Sequence, residues 1–270
     1  MRINSLKLLF LMAIVAIAGS CGNTEENTVE FETLTLDKAI NLTNEELSPT
    51  CTVSLKMENA IEKNGHRAEV INNTVIERLL NMRDMSMKTA MEEFTENYIK
   101  SYKSTMVPLY NQDRADTTKR AWYEFHYIIS AETQQGSKNT IVYLATVDYY
   151  EGGAHGTHQQ VALNFEAKTG RLLTLSEVFA EGTENQLNNI LLKALKEKTG
   201  LGTIGQLREK DYLKSVDIYA PENFIINDET ITFIYNPSEI AAYSVGSTEL
   251  IIPYSSMESI LKNSFISSLQ

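Results

Sequence analysis

Cysteine is nearly absent from this 270-residue chain: there are two, Cys21 and Cys51. If Cys21 is consumed by processing, Cys51 has no partner for an intramolecular disulfide, and stability must come from apolar burial, for which the chain is long enough. Cys51 reads as a small buried apolar residue, since no basic neighbour is present to activate its thiol. Basic residues are also short, 24 Lys and Arg against 35 Asp and Glu, for a net charge of −11. The deficit extends over both halves and no run of Lys or Arg interrupts it, which excludes nucleic acid as an expected partner. No Gly-x-Ser-x-Gly elbow, phosphate-cradling Gly-rich loop ending in Lys-Ser/Thr, or helical His-Glu-x-x-His is present. No internal repeat is present, and no run after the first twenty residues is apolar enough to span a bilayer. The expected class is a protein without catalysis and without a cofactor.

The first twenty residues are a leader. Arg2 and Lys7 precede the short apolar run Leu8–Ala18, and Ala18-Gly19-Ser20-Cys21 has the small residues and terminal cysteine of a lipoprotein processing site. Residues 1–20 are read as a signal peptide and Cys21 as the lipidated residue, placing the chain in the cell envelope on a lipid anchor, at an outer membrane with a periplasmic or surface face. Residues 21–48 are polar and acidic and read as a tether, with room for an early strand at Val29–Leu36.

Two folded units are expected beyond it, 49–135 and 136–270, each an antiparallel sheet with helices and able to pack as one body. The fold class is α+β. In the first unit Val53, Leu55 and Met57 alternate as a strand, and Asn64-Gly65 supplies a hairpin-type turn. Thr74-Val75-Ile76-Glu77 has capping-box spacing and opens a helix expected to reach about Lys103. Met87, Met91, Phe94 and Tyr98 lie along one face of it as a core stripe, and Pro108 ends the region. Trp122–Ala131 and Thr140–Tyr150 read as an antiparallel hairpin. Trp122, Glu124, His126 and Ile128 share a face of the first strand; Glu124 beside His126 has the makings of an acid/base pair, and the two are read as a structural surface pair.

The second unit offers a strand through Val161, Leu163 and Phe165, then capping spacing at Thr174–Glu177 and Thr183–Gln186. The latter opens a helix with Leu187, Leu191 and Leu195 on its apolar face and Gly200 closing it. Ile204–Leu213 is a further helix candidate. Phe224–Ile226 and Thr230–Tyr235 flank Asn227-Asp228-Glu229 as a hairpin, Glu249–Ile252 is a last strand, and Met257–Phe265 a terminal helix.

Chemistry concentrates in Asp148–His158, which holds two of the four histidines and interrupts a strong strand pattern with Gly152-Gly153-Ala154-His155-Gly156. Exposed residues of this loop, Tyr149, Tyr150, Glu151, His155 and His158, are the candidate ligand contacts. Asp148, Glu151, His155 and His158 also form the alternative of a zinc-dependent envelope hydrolase, since imidazole and carboxylate suit zinc. The other reading of the same residues is a shaped turn with no metal.

The run Tyr150-Glu151-Gly152-Gly153-Ala154-His155-Gly156, with Asn164-Phe165, Thr169-Gly170 and Leu173-Thr174-Leu175, resembles the extracytoplasmic domain of RsiV-type, lysozyme-sensing anti-sigma factors. Ile231–Tyr243, Gly246 and Ile251-Ile252-Pro253-Tyr254 are similar to that domain's closing pattern, and Thr52–Ala131 more loosely resembles the domain preceding it in such proteins and in some peptidoglycan deacetylases. The resemblance implies the recognition half of those proteins: a lipid-held, non-catalytic module that contacts a lysozyme-like protein or peptidoglycan, with no regulator held inside the cell and no deacetylase domain following.

Overall fold

The computed structural model describes residues 29–269, so the leader, the Cys21 lipidation site and the start of the expected tether lie outside the described residues. The chain is α+β. In order it runs β1 (Glu30–Asn41), β2 (Thr50–Ile61), α1 (Arg67–Leu80), α2 (Met87–Asp113), a 3-10 helix (Thr117–Tyr123), β3 (Phe125–Gln135), β4 (Thr140–Tyr150), β5 (Thr157–Glu166) and β6 (Leu172–Leu173). Then come α3 (Leu175–Val178), α4 (Glu184–Thr199), α5 (Ile204–Glu209), β7 (Phe224–Ile226), β8 (Thr230–Tyr235), β9 (Thr248–Pro253) and α6 (Asn263–Leu269). β1 to β6 form one sheet in sequence order, and β7 to β9 a second.

Several elements differ from expectation. The early strand allowed at Val29–Leu36 is present as β1 but runs on to Asn41, so the tether reading fails from Glu30; β1 pairs with β2 over twelve residues and sets Leu34, Leu36 and Ile40 opposite the buried Met57, Leu55 and Cys51. Asn64-Gly65 therefore closes no hairpin, because the hairpin partner of β2 lies upstream. β2 and β3 are parallel, and α1 and α2 supply the crossover that parallel neighbours need. The expected single helix is two. Asn81 takes the left-handed conformation (φ 52°) that stops α1, and Ser86 opens α2 by accepting from the Thr89 amide. Thr74 sits inside α1, where its hydroxyl donates to the Val70 carbonyl, and caps nothing. α2 passes through the exposed Pro108 and continues to Asp113. The methionine stripe faces the core as expected, with Met87 and Met91 buried and Phe94 and Tyr98 packed against them. Trp122 belongs to the 3-10 helix rather than to the strand.

At Thr174 and Thr183 no side-chain cap forms, whereas Thr203 and Gln206 make a complete capping box. The terminal helix starts six residues late, at Asn263, after a turn through Met257–Ile260.

The chain has two cores. One lies between the six-stranded sheet and α1 and α2, and includes Tyr143, Ala145, Val147, Leu163 and Phe165. The other joins α4, α5, α6 and the second sheet, and starts at Val178. The division between cores thus falls between Phe165 and Val178, and position 135/136 is the β3–β4 turn, whose two strands pair over ten positions. Alternation in β4 and β5 is continuous with β3, so the sheet has no reason to break there.

The two sheets are joined by asparagines. β6 covers only two residues of the outer edge of β5. Beyond it, the Gln160 and Ala162 amides donate to the side-chain oxygens of Asn236 (2.7 Å) and Asn223 (2.8 Å), and both side-chain amides return bonds to the Gln160 carbonyl. Asn164, 1% exposed, donates to the Phe224 carbonyl (2.7 Å) and accepts from the Ile226 amide (2.9 Å). The β3–β4 turn adds a bond from the Ser137 amide to the Ile226 carbonyl, and at Gly136 a Cβ would come within 2.6 Å of that same oxygen.

Replacing Asn164 by Ala leaves two buried backbone groups of β7 unpaired, at a cost of about 3 kcal/mol. Urea unfolding is expected to show that loss, and a cost below about 0.5 kcal/mol would contradict the role given to Asn164.

Candidate functional site

The glycine-rich loop joins the ends of β4 and β5 and is fixed by its own backbone. Gly152 has φ +81°, and a Cβ there would lie 2.8 Å from the Trp122 carbonyl; Gly153 has φ +94°. The Tyr150 hydroxyl donates to the Gly153 carbonyl (2.9 Å) and holds the loop from within. From the connection between β8 and β9, where a 3-10 turn spans Tyr243–Val245, Tyr243 stacks on the His155 ring at 5.1 Å, and its hydroxyl donates to the Gly156 carbonyl (3.1 Å). The loop is thus held between the ends of β4 and β5 and the β8–β9 connection.

Strand alternation sends the candidate residues to opposite sides. Asp148 and Tyr150 lie on the face away from the helices, in register with His158 and His126. There Asp148 takes hydrogen bonds from two imidazoles, Oδ1 with His126 Nε2 and Oδ2 with His158 Nδ1, each 3.1 Å, and the His126 ring stacks on Tyr150. Partial burial works to raise the Asp148 carboxyl, but hydrogen bonds from His158 and His126, with their charge, outweigh it and hold the group below its ordinary value.

Tyr149 and Glu151 turn to the helix side. Tyr149 stacks on Tyr127 at 5.4 Å, and Glu151 lines a small cleft with Tyr98, Ser101, Tyr102, Thr105 and Phe125. Burial first, then the Glu151 charge, raises the Cys51 thiol to about 12, so that it stays protonated and inert. Burial and Glu151 likewise hold the Tyr98 phenol protonated, although its buried hydroxyl makes no well-formed hydrogen bond.

Asp148, Glu151, His155 and His158 therefore do not converge. Glu151 is across the sheet from Asp148, and His155 is stacked on Tyr243. Among the described residues no group of three or more His, Cys, Asp or Glu is placed to hold a metal. The two imidazoles approach separate oxygens of Asp148 at hydrogen-bond distance, whereas zinc ligands meet at one point about 2.0–2.2 Å away. The residue missed in the sequence is His126. Its expected companion, Glu124, instead accepts from the Thr50 amide and hydroxyl. The cross-strand register was the signal that links His126 to Asp148.

The Asp148 side chain is 43% exposed, so its two bonds stabilise the fold by no more than about 1 kcal/mol. A carboxyl held below its ordinary 3.8 contributes fully above that pH and loses the contribution as pH falls through the folded value. Asp148→Asn is therefore expected to lower stability slightly at neutral pH and to match the parent in strong acid. Urea midpoints at the two pH values check this, and an unchanged gap in acid would contradict it.

Comparison with known proteins follows this architecture. Residues 176–255 match the family model described as a protein of unknown function (DUF3298). A solved structure from Bacteroides fragilis NCTC 9343, described as a member of that family, is 27% identical and superposes with a TM-score of 0.83, covering 91% of this chain and 99% of its own. A second, from Pseudomonas aeruginosa PAO1, is 15% identical with a TM-score of 0.55 over 87% of this chain and 96% of its own, and shares the fold. Among curated proteins, the Bacillus subtilis (strain 168) peptidoglycan-N-acetylmuramic acid deacetylase PdaC is 22% identical over 186 residues. The match takes in 68% of this chain and 38% of that protein, so the chain spans well under half of the relative's length. The chain is consistent with the DUF3298 family of unknown function.

Proposed function

We propose that the chain is a non-catalytic binding module of the bacterial cell envelope, lipid-anchored at Cys21, that recognises peptidoglycan through the Tyr149–His158 end of the large sheet. The observation carrying this reading is the exposed outer face at that end. Tyr150, His126, Asp148 and His158 set rings and hydrogen-bonding groups side by side on a rigid sheet, and the His155–Tyr243 stack stands next to them. Glycans are bound by such combinations: aromatic faces take the C–H side of a sugar ring, and fixed polar side chains take its hydroxyls. A rigid sheet positions them more closely than a free loop would. The name of the Bacillus relative supports wall polymer as the ligand class. The resemblance to RsiV-type sensors supports a second reading, a lysozyme-like protein as partner. A net charge of −11 favours it as well, since an acidic surface steers in a basic protein.

Purified residues 22–270 are expected to co-sediment with insoluble peptidoglycan at physiological salt, and His158→Ala to weaken that binding about tenfold. Calorimetry against a basic lysozyme tests the second reading. Binding that disappears between low and physiological salt is nonspecific charge attraction. No binding to either, or binding indifferent to His158→Ala, would contradict the assignment of this face.

A further inference from the structure

β1 is an edge strand twelve residues long, and among the described residues nothing pairs with its outer edge. A free edge of that length is a template for another strand. Beside it lies a shallow, open groove of about 690 Å³, between β1 and one face of α2, lined by Ile99, Val107 and Pro108, by Lys38, Lys100 and Lys103, and by Glu96 and Ser104. Among the described residues none of these three lysines has an ion pair or hydrogen-bond partner. In a chain with an excess of acidic residues, three lysines against the single Glu96 leave this groove locally basic, which suits an acidic occupant.

The sequence of β1 supplies one. By its register with β2, the helix-facing side of β1 reads Glu30, Glu32, Leu34, Leu36, Lys38, Ile40. We infer that β1 pairs antiparallel with β1 of a second copy, Thr35 lying on the two-fold axis, so that the two six-stranded sheets become one. In that register Lys38 stands opposite Glu32 of the second copy, Leu36 opposite Leu34, and Thr35 opposite itself, and symmetry makes each unlike pair twice. Sliding by two residues either way sets Glu32 against Leu36 or Ile40, so alternative registers put a charge on an apolar partner. Lys38 is three residues from the axis, about 10 Å. Each basic groove thus receives Glu32 and the neighbouring Glu30 of the second copy, while the two lysine clusters stay apart from each other. A lysine pointing inward on an edge strand would otherwise discourage pairing. Glu32 Oε1 accepts from the Asn59 side-chain amide of its own chain (2.9 Å), and the carboxylate so held is what neutralises Lys38 of the second copy.

Sedimentation analysis of residues 22–270, which carry the whole described fold, is expected to show a dimer at about 50 μM. Glu32→Lys and Lys38→Glu, both at exposed positions, each lower the dimer affinity at least about tenfold, and the double exchange recovers most of it. Far-ultraviolet circular dichroism confirms that each variant is folded. A monomer at that concentration, a dimer indifferent to either single exchange, or a double exchange that recovers nothing would each overturn the inference.

Discussion

The bonds that three asparagine side chains make between β5 and the second sheet, two reaching β5 and one reaching out from it, hold this structure together as one body. β5 has donors and acceptors on an edge that β6 covers for only two residues, and buried backbone groups cannot be left without partners. Asn223 and Asn236 serve as a substitute strand, offering side-chain amides where a neighbouring backbone would be. Asn164 works in the other direction and completes the ladder of β7 from inside the first sheet. Geometric fit, as well as apolar area, therefore sets where the second sheet sits. The position of Tyr243 beside the glycine loop follows from it.

The parts legible in the sequence were those set by local pattern. Alternation in Val161, Leu163 and Phe165, the Phe224–Tyr235 hairpin, the Met87–Tyr98 stripe and the Leu187–Leu195 face all reappear as elements. The α+β class follows from them. The failures came where distant residues decide. A helical pattern runs through Asn81, but the chain turns left-handed there so that α2 can pack beside α1. Capping spacing at Thr74 is real as a pattern, yet that residue lies mid-helix, because α1 begins earlier, at Arg67. β1 looks like a polar tether because one face of it is solvated, and its apolar half counts only once β2 lies alongside. The asparagines give no sign in the sequence, since their role is defined by strands about sixty to seventy-six residues away.

The site was legible as a place and not as an arrangement. Glycine clustering located the loop, while the period of two in β4 separated neighbours that the sequence lists together, sending Asp148 and Tyr150 to one face and Tyr149 and Glu151 to the other. His126 joined the group only through register. A carboxylate shared by two imidazoles is an orienting device on an exposed face, and the buried Cys51 thiol on the helix side stays protonated. β1 is one end of the sheet order, and β4 and β5, which carry the loop, lie toward the other. Two copies joined at β1 would therefore keep both loop ends free, and a polymeric ligand could engage both at once.

The central claim is that the Tyr149–His158 end, held in place by the asparagine contacts, is where the ligand sits. Amide hydrogen exchange with and without soluble peptidoglycan fragments tests it most directly. Added protection confined to Asp148–His158, the start of β3 and the segment around Tyr243 is the predicted result. Protection centred on α4, α5 or α6 with this end unchanged, or no protection anywhere at saturating fragment, would contradict it.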